Sequence, residues 1–309
     1  MYIGCDIGRG DTKVFSDKDV FKFPSYVAEA RTLDLESGEM KSDSNNMEHL
    51  SVEIDGDKFF LGELARREGG SREYQKDKVK HRNTIPLLLT SIALASPDKY
   101  CKAKVVTGVP ISDYQTQGKK FEKEITGSYR IKLPHKEVYL QLLKNNILTF
   151  PEGAGAIWNE LLDDHGQLLE TTLTDQVIGV LDVGWKTVNF AVLRKMQYDD
   201  GASGTLPMGL SKAFKIYYKR ISRRYDLSPS QAEKSLISKG QQELIRLSQE
   251  IQDQISMWWT NGLELDCVFI AGGGGKALFD HLNFQKKRLL DEPQMANAEG
   301  YYKVAQMKL

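Results

Sequence analysis

Residues 1–15 read MYIGCDIGRGDTKVF, and residues 177–193 read VIGVLDVGWKTVNFAVL. Each stretch opens with an apolar run closed by an aspartate, Asp6 or Asp182. Glycine follows two residues later, at Gly8 (with Gly10 beyond it) or Gly184, and then Thr12 or Thr187. A second, alternating run comes next, Lys13-Val14-Phe15 in one case and residues 188–193 in the other. Apolar run, glycine turn and alternating return predict two β-hairpins. Their recurrence about half a chain apart predicts two related halves facing one another.

Outward from the first hairpin, residues 50–54 and 58–61 flank Asp55-Gly56-Asp57 and predict another hairpin, because glycine readily takes positive φ. Residues 83–94 predict a helix with Pro86 in its first turn, residues 104–107 a strand, and residues 115–126 a helix. Strands follow around 129–133 and 138–142. Segment 31–49 is polar, lacks periodicity and reads as a surface excursion. Pro151-Glu152-Gly153 introduces a helix over 154–162, with proline and acid where a helix start favours them. This helix lies just before the second hairpin, a natural crossing point between halves. The second half predicts helices over 211–225, 230–238 and 241–259, the last with apolar positions at Leu244, Leu247, Ile251 and Ile255. Ser228-Pro229-Ser230 supplies cap and first-turn chemistry for the second of these. A strand Cys267–Ala271 then runs into four glycines, Gly272 to Gly275, and a helix from Lys276. Strands, hairpins and helices in this alternation indicate α/β layers.

Composition narrows the function classes. The chain has 309 residues, 40% of them hydrophobic, with 42 Lys plus Arg against 42 Asp plus Glu. Net charge zero excludes a strongly basic nucleic-acid coat or an acidic tail, and offers little resistance to self-association. Apolar runs are far shorter than the ~20 residues of a membrane span. Asp6 interrupts the first of them, so the N-terminus does not read as a signal peptide. Cys5, Cys101 and Cys267 lie in or beside apolar stretches and read as buried reduced thiols of a cytoplasmic protein. No histidine pair has metal-site spacing, which argues against a metal held by a dedicated protein site.

The chemistry gathers at the glycine turns, where no Cβ blocks approach of an anion to backbone N–H groups. Three occur: residues 8–10, 184–186 and 272–275. Lys13 supplies a counter-charge for phosphate. Asp6 and Asp182 would repel phosphate, so they make sense as a pair facing a hydrated magnesium ion on one nucleotide. Taken singly, these residues have plainer readings. Glu152 reads as a first-turn acid, Lys13 as the solvent face of a strand, and Glu233 and Lys234 as exposed helix charges. Trp258 and Trp259 read as core or interface packing. A basic helix over 212–224 reads as a solvated amphipathic face, with a filament or adaptor contact as the functional alternative and direct DNA binding as a third, disfavoured by the zero net charge.

Asp6-Ile7-Gly8-Arg9-Gly10-Asp11-Thr12-Lys13 resembles the first phosphate loop of the actin superfamily. Asp182-Val183-Gly184-Trp185-Lys186-Thr187 resembles the second, Ile270-Ala271-Gly272-Gly273-Gly274 the adenosine motif, and residues 150–156 the connecting helix. Leu61-Gly62-Glu63-Leu64-Ala65, Val106-Thr107-Gly108-Val109-Pro110, residues 293–301 and the chain length resemble plasmid-segregation actins of the ParM/StbA type. The resemblance implies an α/β fold, the duplicated ribonuclease H-like, two-lobed ATPase of actin, with a nucleotide cleft between lobes. Lobe I would be 1–155 plus 290–309, and lobe II 156–289.

Carried over, the resemblance implies that Asp6 and Asp182 bind Mg2+ through water. Lys13 and the backbone of Gly8, Arg9, Gly10, Asp11, Thr12, Gly184, Trp185, Lys186 and Thr187 would hold the β- and γ-phosphates. Gly272, Gly273 and Gly274 would pack on the α-phosphate and nucleoside, Glu152 would orient or activate the attacking water, and Glu233 and Lys234 would contact ribose and base. Two departures stand out: Asn189 where the family often has Asp, and Trp185-Lys186 where smaller residues are common. The implied activity is hydrolysis of ATP (or GTP) to ADP coupled to a head-to-tail homopolymer. Plasmid DNA would be moved indirectly, through a DNA-binding adaptor protein and without a membrane. A small-molecule kinase of the same superfamily, an archaeal or phage filament protein with another cargo, and a non-polymerising nucleotide-binding module are the alternatives.

Overall fold

The computed structural model describes residues 1–30, 47–72, 82–222, 225, 228–259 and 263–309. Most of the polar excursion, 31–46, and the cations Arg223 and Arg224 of the basic helix lie outside these residues. Both hairpins form. Tyr2–Ile7 pairs antiparallel with Asp11–Ser16, and Val177–Val183 with Val188–Arg194. Ile7 faces Thr12 and Val183 faces Val188 across the last rungs, so each turn spans the same number of residues. Asp6 and Asp182 occupy the same rung of their hairpins, opposite Lys13 and Asn189.

The repeat extends well beyond the hairpins. One sheet runs in the order Ile147–Pro151, Lys104–Val109, Tyr2–Ile7, Asp11–Ser16, Val20–Pro24. The other runs Lys287–Leu289, Cys267–Ala271, Val177–Val183, Val188–Arg194, Gln197–Tyr198. In both, two parallel strands precede the hairpin and an antiparallel strand closes the order. The two halves are therefore structural duplicates although their sequences repeat clearly only at the hairpins.

The first half carries an addition with no counterpart among the described residues of the second. A seven-stranded sheet runs Ser71–Arg72, Tyr26–Glu29, Asp57–Leu61, Ser51–Ile54, Gly127–Leu133, Lys136–Leu142, Tyr100–Lys102. Asp55 and Gly56 both take positive φ, the geometry of a two-residue hairpin turn. The helix Thr84–Ala95 is buried on nearly all sides because both sheets press on it. Ile3, Cys5 and Val14 of one sheet and Val52, Ile131 and Leu140 of the other share its core. In the second half, helices cover both faces of the sheet: Leu210–Ile221 and Gln241–Ser256 on one, Ala154–Leu161 on the other.

Several element bounds shift from the sequence reading. The helix expected at 115–126 starts at Ile111, the one expected at 211–225 ends at Ile221, and the one expected to 259 ends at Ser256. Trp259 packs on the core and donates Nε1–H to the Ala202 carbonyl at 2.9 Å, whereas Trp258 is half exposed. Cys5 and Cys101 are buried and Cys267 is only half buried, correcting the reading of three buried thiols. The basic helix spends two of its cations within the fold: Arg220 binds Glu243 at 2.8 and 3.1 Å, and Lys212 pairs with Glu250. Its end supplies part of a solvated face, as expected of an amphipathic helix.

The C-terminal helix Ala296–Lys308 packs against Tyr2–Ile7 and crosses Ala154–Leu161 at very close range. A Cβ at Gly300 would fall on the Gly155 carbonyl, and one at Gly4 on the Ala298 carbonyl. The Ala154–Leu161 helix runs unbroken across the expected lobe boundary after residue 155. Gly300→Ala forces backbone against backbone and is expected to cost about 3 kcal/mol or more of unfolding free energy. Gly69→Ala, with open space but positive φ, should cost about 1 kcal/mol. Urea denaturation of both variants checks this; equal midpoints would remove the crossing as a packing constraint.

Candidate functional site

The two hairpin turns and the Gly272 loop meet at one cleft of about 370 Å3 between the halves. That volume lies in the range of small-molecule sites. Of the nucleotide, metal and catalytic residues that the resemblance implies, all but Thr12 line it. Thr12 is fully buried in its strand, with its hydroxyl 2.9 Å from that of Ser25. Ser25 also donates to the carbonyls of Gly8, through Oγ at 2.6 Å, and Gly10, through N at 3.0 Å. These bonds tie the loop's carbonyls to Ser25, on the strand side. Space demands glycine at position 8, where a Cβ would lie 2.7 Å from the Asp11 carbonyl oxygen, whereas one at Gly10 would press on Trp185 Cβ at 3.1 Å.

Three carboxylates converge on the cleft floor. Asp6 accepts from Lys13 Nζ at 2.8 Å, a pair with little exposure. Burial pushes the Lys13 ammonium down, but Asp6, Asp182 and Asp11 outweigh burial and hold it above its usual range. Glu152 is fixed through its backbone N–H to Val109 O at 2.9 Å and accepts from Asn189 Nδ2 at 3.1 Å. Asn189 in turn accepts from the Thr205 hydroxyl at 2.7 Å. This accounts for the asparagine noted in the sequence, since an ionised aspartate there would face Glu152 with no proton to donate. Burial, then the charges of Asp6 and Glu152, raise Asp182 to about 7 against the pull of Lys13 and a hydrogen bond from Asn297.

Two residues that sequence reasoning used only as part of a family signature hold the floor together. Asn297 accepts from Gly153 N at 3.2 Å and Ala156 N at 3.1 Å, and donates Nδ2 to Asp182 Oδ2 at 2.9 Å. Backbone N–H groups can only donate, so the orientation of this buried amide is decided by its partners. Gln294 donates to Asp11 Oδ2 at 2.9 Å and accepts from Lys22 Nζ. Gly272, at φ +83°, packs so closely that a Cβ would meet Asp182 Oδ1, and its N–H reaches Pro293 O at 2.7 Å. Arg66 and Arg72 also line the cleft, and no local sequence signal pointed to them.

The donor set fits a phosphate-bound divalent cation. Three buried carboxylates face one ammonium on the floor, an excess that a divalent ion would neutralise. Among the described residues no three side chains form a metal site by themselves, so such an ion would need water and phosphate as further ligands. At the rim, burial and then the positive charges of Lys215, Arg9 and Arg72 push Lys186 down, a crowding that a bound anion relieves.

Asp182 makes the chain's stability pH-dependent. Its raised pKa means that the folded chain keeps a proton that the unfolded chain, with aspartate near 3.8, has already released. This contribution is therefore complete below about pH 4 and lost as pH rises through 7. Without divalent ions, the loss between pH 5 and pH 8 should be on the order of 3 kcal/mol, and Asp182→Asn should abolish that part. Denaturant titrations at the two pH values check it; identical pH dependence in both proteins would refute the assignment.

Residues 4–155 match the family described as actin like proteins N terminal domain. No curated protein matches the chain. Among solved structures, the pCBH ParM non-polymerisable quadruple mutant is similar at 25% identity and TM-score 0.79, over 98% of both chains. A 15-stranded ParM filament from Clostridium botulinum is similar at 24% and 0.81, again over 98% of both. An archaeal actin homolog in complex with ADP is similar at 19% and 0.80, over 99% of both. The chain is thus actin-like, with an actin-like N-terminal domain over residues 4–155 and the two-lobed fold of ParM-type structures around its cleft.

Proposed function

We propose that this chain binds ATP with magnesium between its lobes, hydrolyses it, and assembles head to tail into cytoplasmic filaments that segregate plasmid DNA through an adaptor protein. The observation that carries the reading is the convergence of Asp6, Asp182 and Glu152, from three separate elements, on one glycine-walled cleft beside Lys13. The ADP complex of the archaeal homolog and the ParM filament support nucleotide and polymer respectively. No described helix is long and apolar enough to cross a membrane.

In this reading the lobes are 1–155 plus 290–309 and 156–289. Lys13 leaves Asp6 to meet the β- and γ-phosphates, and the backbone N–H groups of residues 8–12 and 184–187 close on them from both lobes. Asp6 and Asp182 hold the magnesium ion through water, which supplies charge neutralisation on the phosphates. The Gly272-Gly273-Gly274 turn backs the α-phosphate and nucleoside, with Glu233 and Lys234 at the ribose and base. Glu152, kept in place by Asn189, orients the attacking water and takes its proton. Loss of the γ-phosphate removes a bridge between the two turns, so closure weakens and with it the heterologous surface that propagates a filament.

Sedimentation of the full chain should give a pellet with magnesium and either ATP or a slowly hydrolysed analogue, and none with chelator. Soluble monomer at high concentration under all conditions would end the reading. Glu152→Ala is expected to slow phosphate release by about 10²-fold or more while leaving calorimetric ATP affinity within a few-fold. Unchanged turnover would take Glu152 out of the mechanism.

A further inference from the structure

Arg72 closes the two-residue strand Ser71–Arg72 and stands opposite Tyr26 in the seven-stranded sheet. It is 6% exposed, and a buried cation is costly unless something offsets its lost hydration. What offsets it lies partly across the cleft. The guanidinium carbon sits 4.5 Å from the centre of the Tyr26 ring and 5.3 Å from that of Trp185. Tyr26 belongs to its own sheet, whereas Trp185 belongs to the turn of the second hairpin. Trp185 packs in turn on Phe214 of the helix Leu210–Ile221, with ring centres 5.6 Å apart. A counter-charge also comes from the far side: Glu233, on the helix Pro229–Lys239, lies 3.7 Å from Nη1.

Tyr26, Arg72, Trp185 and Phe214 thus form a continuous cation and ring ladder from one lobe to the other, clamped by Glu233. We propose that Arg72 is a positioning residue that latches the lobes together over bound nucleotide and sets how fast nucleotide leaves. The ladder is built from side chains apart from Asp6, Lys13, Glu152 and Asp182 on the cleft floor, so it forms without ligand and persists after the γ-phosphate is lost. A planar guanidinium suits it, because it can face two rings while pairing with a carboxylate; an ammonium cannot do all three. Its Nε–H is buried with no hydrogen-bond partner, so the rings and the Glu233 carboxylate carry its placement, while the residue itself lines the cleft. Trp185, the departure from the smaller residues common in second phosphate loops, gives Arg72 an aromatic partner on the opposite lobe beside the Glu233 carboxylate.

The latch itself is independent of the proposed function; its effect on release rests on that reading, and the test separates the two. Spin labels at Asp57→Cys and Lys239→Cys, in a Cys267→Ser background of the full chain, report the distance between the lobes without nucleotide. In the same proteins, release of a fluorescent ADP is followed by stopped flow. Arg72→Ala is expected to lengthen and broaden the inter-lobe distance and to speed release roughly tenfold or more. Arg72→Lys should follow alanine in both, although it keeps the charge. Arg72→Ala with the parent's distances, or Arg72→Lys with the parent's distances and rate, would overturn the latch. Failure of the parent to bind ADP would refute the nucleotide reading while the distance measurement still judges the latch.

Discussion

Burial of like charges at the meeting of the two lobes is the constraint on which the rest depends. Asp6, Asp182 and Glu152 are all nearly inaccessible and lie within electrostatic reach of one another. Ionised carboxylates so placed are tolerated only with donors and counter-charges. Lys13 serves Asp6, Asn189 serves Glu152, and Asn297 serves Asp182. Only one of these three partners is charged. The floor is consequently left short of positive charge, and the rim, with Arg9, Lys186 and Arg72, is rich in it. That separation suits a ligand carrying a divalent cation at one point and a chain of anions beside it.

The duplicated sheets explain why such a floor exists. Each hairpin presents an aspartate at the same rung, and the halves bring those two rungs together. Divergence then shows at the facing rung: Lys13 in one hairpin, Asn189 in the other. The lysine neutralises its own aspartate, whereas the asparagine turns to the connecting helix and holds Glu152. One repeated geometry thus serves two different carboxylates, the hairpin's own Asp6 in one half and Glu152 in the other, through a single change of donor.

The C-terminal helix and the turn before it act as the keystone of this arrangement. Pro293, Gln294 and Asn297 reach the Gly272 loop, the first turn, Asp182 and the start of the Ala154–Leu161 helix. Gly300 lets that helix approach Gly155 with backbones in contact, and fully buried Tyr301 fills the space behind Glu152. Burial, and then the charges of Asp6, Glu152 and Asp182, hold the Tyr301 hydroxyl well above its usual range, so it stays protonated beside the floor. Residues 293–301 enter the sequence reading only as part of a resemblance, and in the structure their work is done through contacts no local pattern displays.

Local patterning accounts for what neighbouring residues decide. Alternation and glycine spacing specified both hairpins; Asp55-Gly56 specified a turn; the 3.6-residue recurrence of Leu244, Leu247, Ile251 and Ile255 specified a buried helix stripe. The Asp and Gly motifs also named most of the cleft wall. Short strands such as Tyr100–Lys102 and Lys287–Leu289 were not legible, because with so few residues the neighbours across the sheet supply the ordering energy. Only the tertiary structure decided that Thr12 turns to Ser25 and away from the cleft, that Asn189 supports Glu152, and that Asn297 and Gln294 bridge partners 115 and 283 residues away. It also decided that Arg72 crosses to Trp185. The physical reason is common to all of these: a polar side chain's role is set by which donor or acceptor meets it after the chain has folded, and that partner leaves no trace in local periodicity.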